Sequence, residues 1–291
     1  MAGLKEVRIR IASVKSTQQI TSAMKMVSAS KLKRAQNAIL KMRPYAGKLR
    51  EILENLSTSL NNSENIYSNN RKVKNVLIVV VTSNRGLCGA FNSNVIKEAN
   101  NIIRKNYAEL AKSDNVEIMC IGKKGAEFFT KRKYNVVESN INIFDSLNFE
   151  NVVPIAEKLM KAFTDAKYDK IEIVYNKFKN AAVYLLSREQ FLPIIQSKIT
   201  KEKTVNDYIF EPGKEQIVSE LIPKSLKIQL YKILLDSYTS EHGARMTAMH
   251  KATDNADSLL KELRLNYNKA RQSSITNEIL EIVSGAEALK G

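Results

Sequence analysis

The chain has 291 residues, 44% of them hydrophobic and 26% charged, with 46 Lys and Arg against 30 Asp and Glu for a net charge of +16. This is the composition of a folded, soluble protein. No run of ~18 apolar residues is present, so no membrane-spanning helix is expected. Met1 to Arg10 has no apolar stretch, so no secretory signal is expected, and two cysteines, Cys88 and Cys120, read as reduced cytosolic thiols rather than a disulfide framework.

The charge is uneven. Residues 1–60 carry 12 − 3 = +9, residues 61–223 carry 24 − 19 = +5, and residues 224–291 carry 10 − 8 = +2. The first segment holds most of the basic excess, which suggests an anionic surrounding surface, either nucleic acid or an acidic protein sleeve. A plainly solvated basic face is the ordinary alternative.

From Leu4 to Arg43 there is no Gly or Pro, and the apolar positions step by three and four: Leu4, Val7, Ile11, Val14, then Leu32, Ala35, Ile39, Met42. This is a helical period with a coiled-coil seam. The step continues through Ala46, Leu49, Leu53, Leu56 and Leu60, and a helix of ~55 residues would be ~80 Å long. In the middle the seam falls on Gln18, Thr21, Lys25 and Ser28, while Ile20, Met24, Met26 and Val27 stand off register. Pro44 with Gly47 predicts a kink or short break.

Asn61 to Arg71 is a polar linker. Val76 to Val81 reads as a buried parallel strand, followed by the loop Thr82 to Asn92 and a helix from about Ser93 to Lys105. Val116 to Ile121 repeats the theme, with a helix through Lys131 behind Gly122 and Gly125, and Val136-Val137 can start a third strand. Val152 to Ala166 reads as an amphipathic helix. Ile171 to Tyr175 and Ala182 to Ser187 read as a hairpin. The alternation predicts a small α/β domain over 73–210. Lys214 to Leu221 can be helical, Pro223 punctuates, and Leu226 to Leu289 reads as a second long helix. Its seam includes Leu226, Leu230, Ile233, Met249, Ala252, Ala256, Leu259, Leu263, Tyr267 and Ala270, then Ile275, Ile279, Ile282, Ala286 and Leu289. Ala244, Ala248, Ala252 and Ala256 form a row of small residues that admits a close helix neighbour. The simplest packing sets the two end helices antiparallel, with segments 1–60, 73–210 and 214–289 as first helix, α/β domain and last helix.

Candidate chemistry is thin. Gly86 and Gly89 sit where a phosphate cradle could stand before a helix, but the loop fits neither a dinucleotide nor a Walker pattern, so a structural turn is the reading. Gly122-Lys123-Lys124-Gly125 is equally weak. His242 and His250, eight residues apart on one helix, stand ~12 Å apart along its axis, too far for one metal. No Ser-His-Asp or Cys-His arrangement can be argued. The polar stretch Asn266 to Glu278 is either a solvated face or a hydrogen-bonding collar. Arg245 beside the alanine row is equally ambiguous, forking onto carboxylates if buried and doing little if exposed.

Three stretches carry a resemblance: Ile11-Ala12-Ser13-Val14-Lys15-Ser16-Thr17-Gln18-Gln19-Ile20-Thr21-Ser22-Ala23-Met24-Lys25-Met26-Val27-Ser28-Ala29-Ser30-Lys31; Arg85-Gly86-Leu87-Cys88-Gly89; and Ala244-Arg245-Met246-Thr247-Ala248-Met249 with Ala252 to Ala256 and Tyr267 to Ile279. In order and along nearly the whole chain they resemble the F-type ATP synthase gamma subunit of bacterial type. The resemblance implies an α+α/β fold: a long antiparallel coiled coil of the N- and C-terminal helices with a central Rossmann-like α/β domain. It implies a non-catalytic rotor in the central stalk, inserted in a ring of alpha and beta subunits. The epsilon subunit and the ring of c subunits would sit at its base, and it would need no cofactor, no nucleic acid and no second copy of itself. It places Met24 and Lys25 against the lever of a beta subunit, and Arg245, Arg271, Gln272 and Thr276 against the ring. Cys88, Tyr208 and Glu211 fall near epsilon and the c ring. Ser83-Asn84 departs from the family, where an Asp before the Arg is usual. The cysteine-bearing insertion of the chloroplast form is lacking, so no thiol control is expected. With Met1 present and no transit peptide, the expected location is the cytoplasmic side of a bacterial inner membrane, with the membrane met only through the c ring. The other readings are a basic coiled-coil nucleic-acid-binding or scaffold protein, disfavoured because no aromatic precedes Tyr45 to stack bases, and a Rossmann-like enzyme with helical arms.

Overall fold

The computed structural model describes residues 4–57, 66–68, 71–194 and 214–289. Two helices dominate: α1, Leu4–Ser57, of 54 residues, and α6, Lys214–Ala288, of 75 residues. Between them lie β1 (Val76–Val81), α2 (Phe91–Asn106), α3 (Ala108–Lys112), β2 (Val116–Ile121), α4 (Lys123–Lys131), β3 (Val136–Asn140), α5 (Phe149–Thr164), β4 (Lys170–Phe178) and β5 (Tyr184–Leu192). The chain divides into two compact units, Met1–Ser28 with Met246–Gly291, and Ala29–Arg245.

The first unit is the coiled coil. Gln18 Nε2 donates to Asp257 Oδ1, and the Thr21 and Thr253 hydroxyl oxygens lie 2.9 Å apart. Numbers rise on one helix as they fall on the other, so the pair is antiparallel. Burial follows the three-four step through its polar members. Leu4, Val7, Ile11, Val14, Gln18 and Lys25 are half-buried and Thr21 and Ser28 are buried, whereas Ile20, Met26 and Val27 are exposed. Opposite them Met249, Ala256, Leu260 and Leu263 are buried. Each hydroxyl in this layer finds a partner on its own helix: buried Thr21 donates to Gln18 O at 3.0 Å, buried Ser28 to Met24 O at 2.8 Å, and half-buried Thr253 to Met249 O at 2.8 Å. A buried polar group is tolerated when it is hydrogen-bonded.

This layer gives a first expected result. Thr21→Val alone removes one hydroxyl and leaves Thr253 facing a methyl group, at a cost of about 1 kcal/mol. Thr21→Val with Thr253→Val is expected near neutral, because two matched apolar groups replace a matched polar pair. Urea unfolding of the four-member cycle checks it, and additive losses would contradict it.

Three sequence expectations are corrected. Helix α1 is unbroken at Pro44 and Gly47. Ile39 and Leu49 are buried on either side, so packing outweighs the one hydrogen bond that proline removes. Helix α6 likewise runs through Pro223, anchored by buried Ile222, Leu226 and Leu230. The end of the expected seam is not buried: Ile275, Ile279, Ile282 and Leu289 are all exposed. The antiparallel register explains this, since Leu4, the first residue of α1, stands opposite about residue 270.

The second unit is built on a five-stranded sheet of order β3-β2-β1-β4-β5. Strands β1 to β4 pair in parallel and β5 runs antiparallel at one edge. The strand expected from Val136-Val137 reaches Asn140, and the hairpin is longer than expected, with β5 extending to Leu192. The short α3 has no counterpart among the expected elements. Strand β1 is buried on both faces, as a central parallel strand must be. Val76, Ile78 and Val80 pack with Val95, Ala99 and Ile102 of α2 and Phe129 of α4. Leu77, Val79 and Val81 pack with Val152, Leu159 and Phe163 of α5 and with Leu226, Leu230 and Ile233 of α6. Part of α6 is therefore an integral layer of the sheet domain.

Candidate functional site

In an open α/β sheet the ligand crevice lies beyond the carboxyl ends of the strands, where strand order reverses. Here that point is β1, flanked by β2 and β4. The chain fills it. The N-terminus of α4 could have received a phosphate, but its N–H groups are already satisfied. Lys123 N donates to Asn84 Oδ1 at 3.0 Å, Lys124 N to Ser83 O at 3.1 Å, and Gly125 N to Thr82 Oγ1 at 2.8 Å. Gly122 takes φ +103°, and a Cβ there would stand 2.0 Å from Thr82 O. Asn84, at the position where the resembled family has Asp, also donates from Nδ2 to Ile141 O at 2.7 Å. Gly122→Ala is expected to cost about 3 kcal/mol, from a strained φ plus a backbone clash. Guanidinium unfolding reads this, and a loss below 1 kcal/mol would contradict the close approach.

The loop from Ser83 to Asn92 is tied to itself. Ser83 N and Oγ donate to Asn92 Oδ1 or Arg85 O at 2.7 to 3.1 Å, and Asn92 Nδ2 donates to the Cys88 sulfur at 3.3 Å. Leu87 and Gly89 take φ of 61° and 60° to close the turn. Cys88 is buried, and burial pushes its thiol up from the ordinary range.

Against this loop lies a polar segment of α6. From Ile233 to Arg245 every residue is buried or half-buried, although Asp236, Ser237, Thr239, Ser240, Glu241, His242 and Arg245 are among them. A helix buried all round is usually apolar all round, so these groups need partners. Arg245 supplies several. Its Nη2 donates to Glu241 Oε1 at 2.8 Å and to Arg85 O at 3.1 Å. Its Nε donates to Gly86 O at 3.3 Å, and Nη1 lies 3.3 Å from His242 Nδ1. Burial pushes the Glu241 carboxyl up, against the pull of Arg245. Burial, with Arg245 and Lys31 nearby, pushes His242 down to about 3. The His242 ring meets Tyr238 edge-on at 4.4 Å, and Tyr238 stacks on Phe144 at 6.0 Å.

Of the residues singled out in the sequence, the structure brings Cys88 and Arg245 to this one place and turns Arg245 inward. Met24 and Lys25 are half-buried on the coiled coil, and Arg271, Gln272 and Thr276 are exposed. Thr276 Oγ1 donates to Gln272 O at 2.9 Å. Tyr208 and Glu211 lie outside the described residues. His250 is exposed and faces Asp254 at 3.4 Å. Glu241, His242, Thr82 and Asn92 had not been singled out for these contacts. The signal for the first two was a run of polar residues, Asp236 to Arg245, beside the alanine row.

The structure is thus a sheet domain whose crevice is lined by its own loop and helix, joined in sequence to an antiparallel helix pair. The family model described as ATP synthase matches residues 3–289. The ATP synthase gamma chain of Flavobacterium psychrophilum is 57% identical over 292 residues, covering 100% of both chains. That of Flavobacterium johnsoniae is 59% identical with the same coverage. Among solved structures, a chain of the central stalk/c-ring of Tetrahymena thermophila mitochondrial ATP synthase is 28% identical with a TM-score of 0.61, covering 80% of this chain and 99% of that one. A chain of Euglena gracilis mitochondrial ATP synthase shares the fold, with a TM-score of 0.72 at 22% identity and coverage of 98% and 94%. The chain belongs to the ATP synthase gamma chain family. As such it is a central-stalk subunit and performs no catalysis itself.

Proposed function

We propose that this chain is the rotor shaft that carries rotation from a ring of c subunits to the catalytic alpha and beta subunits of a bacterial ATP synthase. The observation that carries the reading is the polar seam of the coiled coil. Two long helices held in one antiparallel register make a stiff rod, and the exposed faces of the pair are free for a surrounding partner. The basic charge of α1 suits an acidic sleeve. The exposed apolar end of α6, Ile275 to Leu289, suits an apolar bearing supplied by the ring.

Met24 and Lys25 then meet a beta-subunit lever, and Arg271, Gln272 and Thr276 hydrogen-bond the ring. The sheet domain, with Cys88 holding its loop from inside, faces epsilon and the c ring, as do Tyr208 and Glu211. The subunit is peripheral, on the cytoplasmic face of the inner membrane. No helix among the described residues is long and apolar enough to cross a membrane.

Co-expression with the alpha and beta subunits of the same organism tests this. One copy per three alpha–beta pairs, with ATP hydrolysis dependent on the chain, is expected. Gln272→Ala with Thr276→Ala should lower that hydrolysis without unfolding the chain. A chain that stays alone, or leaves nucleic acid only at high salt, would overturn the reading.

A further inference from the structure

The reversal point of the sheet, filled by the chain itself, has a mechanical meaning. Two parts of the sheet domain touch α6 at its carboxyl edge. On one side the loop after β1 presents the Arg85 and Gly86 carbonyls to the Arg245 guanidinium at 3.1 and 3.3 Å. On the other, the β4–β5 turn comes so near that a Cβ on Gly243 would lie 2.8 Å from Ala181 O. Arg245 is also the last residue of α6 that belongs to the sheet-domain unit.

We propose that this is a torsional clamp, with Arg245 as its positioning residue, through which turning of the sheet domain is passed into α6. The inference rests on the rotor reading above and adds where the torque enters the helix. Apolar packing of Leu226, Leu230 and Ile233 seats α6 against the sheet, and beyond it the polar segment adds contacts of another kind. Charged hydrogen bonds to carbonyls are directional and among the strongest available. Twisting α6 by about 20° would carry a group at ~6 Å radius by about 2 Å, enough to break both bonds. The acceptors cannot follow, because Ser83 Oγ donates to the same Arg85 carbonyl at 2.7 Å and Asn92 holds Ser83. The donor is fixed from its own helix by Glu241 at 2.8 Å. The Gly243 contact closes the other side, where any larger residue would lever α6 off the turn. The Arg-Gly-Leu-Cys-Gly loop acquires a role as the jaw.

The test uses the assembled, membrane-reconstituted complex with Arg245→Lys and, separately, Ser83→Ala, which loosens the jaw without touching α6. Lys33→Gln, at an exposed position, is the control. Two quantities are read: protons pumped per ATP hydrolysed, and the angular fluctuation of a probe on the sheet domain while hydrolysis is stalled. For Arg245→Lys, pumping per ATP should fall by about half or more and the angular variance should rise about twofold, because lysine keeps the charge but loses the planar fork. Ser83→Ala should move both in the same direction by less. Complexes of both variants that assemble and match the control in pumping and variance would overturn the clamp. If Arg245→Lys fails to assemble, Ser83→Ala decides by the same two readings. A wild-type complex that hydrolyses ATP without turning the probe would overturn the rotor reading instead.

Discussion

Arg245→Ala is expected to destabilise the chain by about 3–5 kcal/mol, the range for removing one partner of a buried ion pair. The Glu241 carboxyl it leaves behind is 7% exposed, and Arg245 is its direct ion-pair partner at 2.8 Å. Lys31 and Arg85 add charge nearby, but they do not replace the hydrogen bond. The Gly86 carbonyl loses its donor as well. Lys33→Ala, on the exposed face of α1, is expected within about 0.5 kcal/mol of the wild type. Arg245→Ala combined with Glu241→Gln should recover part of the loss, because a neutral amide is cheaper to bury than a carboxylate. Urea unfolding of the four chains is the measurement. A loss under 1 kcal/mol for Arg245→Ala would mean that Glu241 reaches water in solution.

The coiled coil was legible in the sequence, and the legible part included its irregularity. Continuing the three-four step through Gln18, Thr21, Lys25 and Ser28 names residues that the structure buries or half-buries, whereas of the off-register Ile20, Met24, Met26 and Val27 only Met24 is half-buried and the rest are exposed. Spacing dominates there because the turn of a helix is fixed by its backbone, whatever side chain falls on the seam. Strand β1 was equally legible as a short, mostly β-branched run with both faces buried, and β2 as a shorter echo of it with only Glu117 half-buried. Proline was over-read at Pro44 and Pro223, because local propensity knows nothing of the packing on either side. The clamp was not legible. Asp236 to Arg245 is polar enough to pass for a solvated face, and it is buried only because the loop after β1 and the β4–β5 turn close over it. Those contacts join residues far apart in sequence, Arg245 with Arg85 and Gly86 foremost, and no periodicity reports such a pairing.

His242 should make the chain lose stability as the medium is acidified from about pH 6.5 toward pH 3. The ring is buried and sits beside a guanidinium, and its pKa is pushed down to about 3. Its Nδ1 faces an Arg245 donor, so a proton cannot be added there without setting two cations against each other. Unfolded, the same imidazole titrates near 6.5. Above pH 6.5 it is neutral in both states and contributes nothing to the slope. Below that, the unfolded chain binds a proton that the folded chain refuses, and stability falls until the folded pKa is reached. The gap from about 6.5 to about 3, at about 1.4 kcal/mol per pH unit, sets an upper figure of about 5 kcal/mol. Glu241 works the other way. Its carboxyl is pushed up by burial, so its share of stability is present below the unfolded carboxylate pKa and is lost as pH rises through the folded one. The His242 effect is therefore read between pH 6.5 and 5 as a difference from a variant that keeps Glu241. His242→Gln keeps an oxygen for Arg245 and removes the titration. Measured by urea unfolding across that window, the wild type should lose about 2 kcal/mol more than the variant. Parallel curves would show that the folded ring takes up its proton, and that the cluster around Arg245 opens to admit the charge.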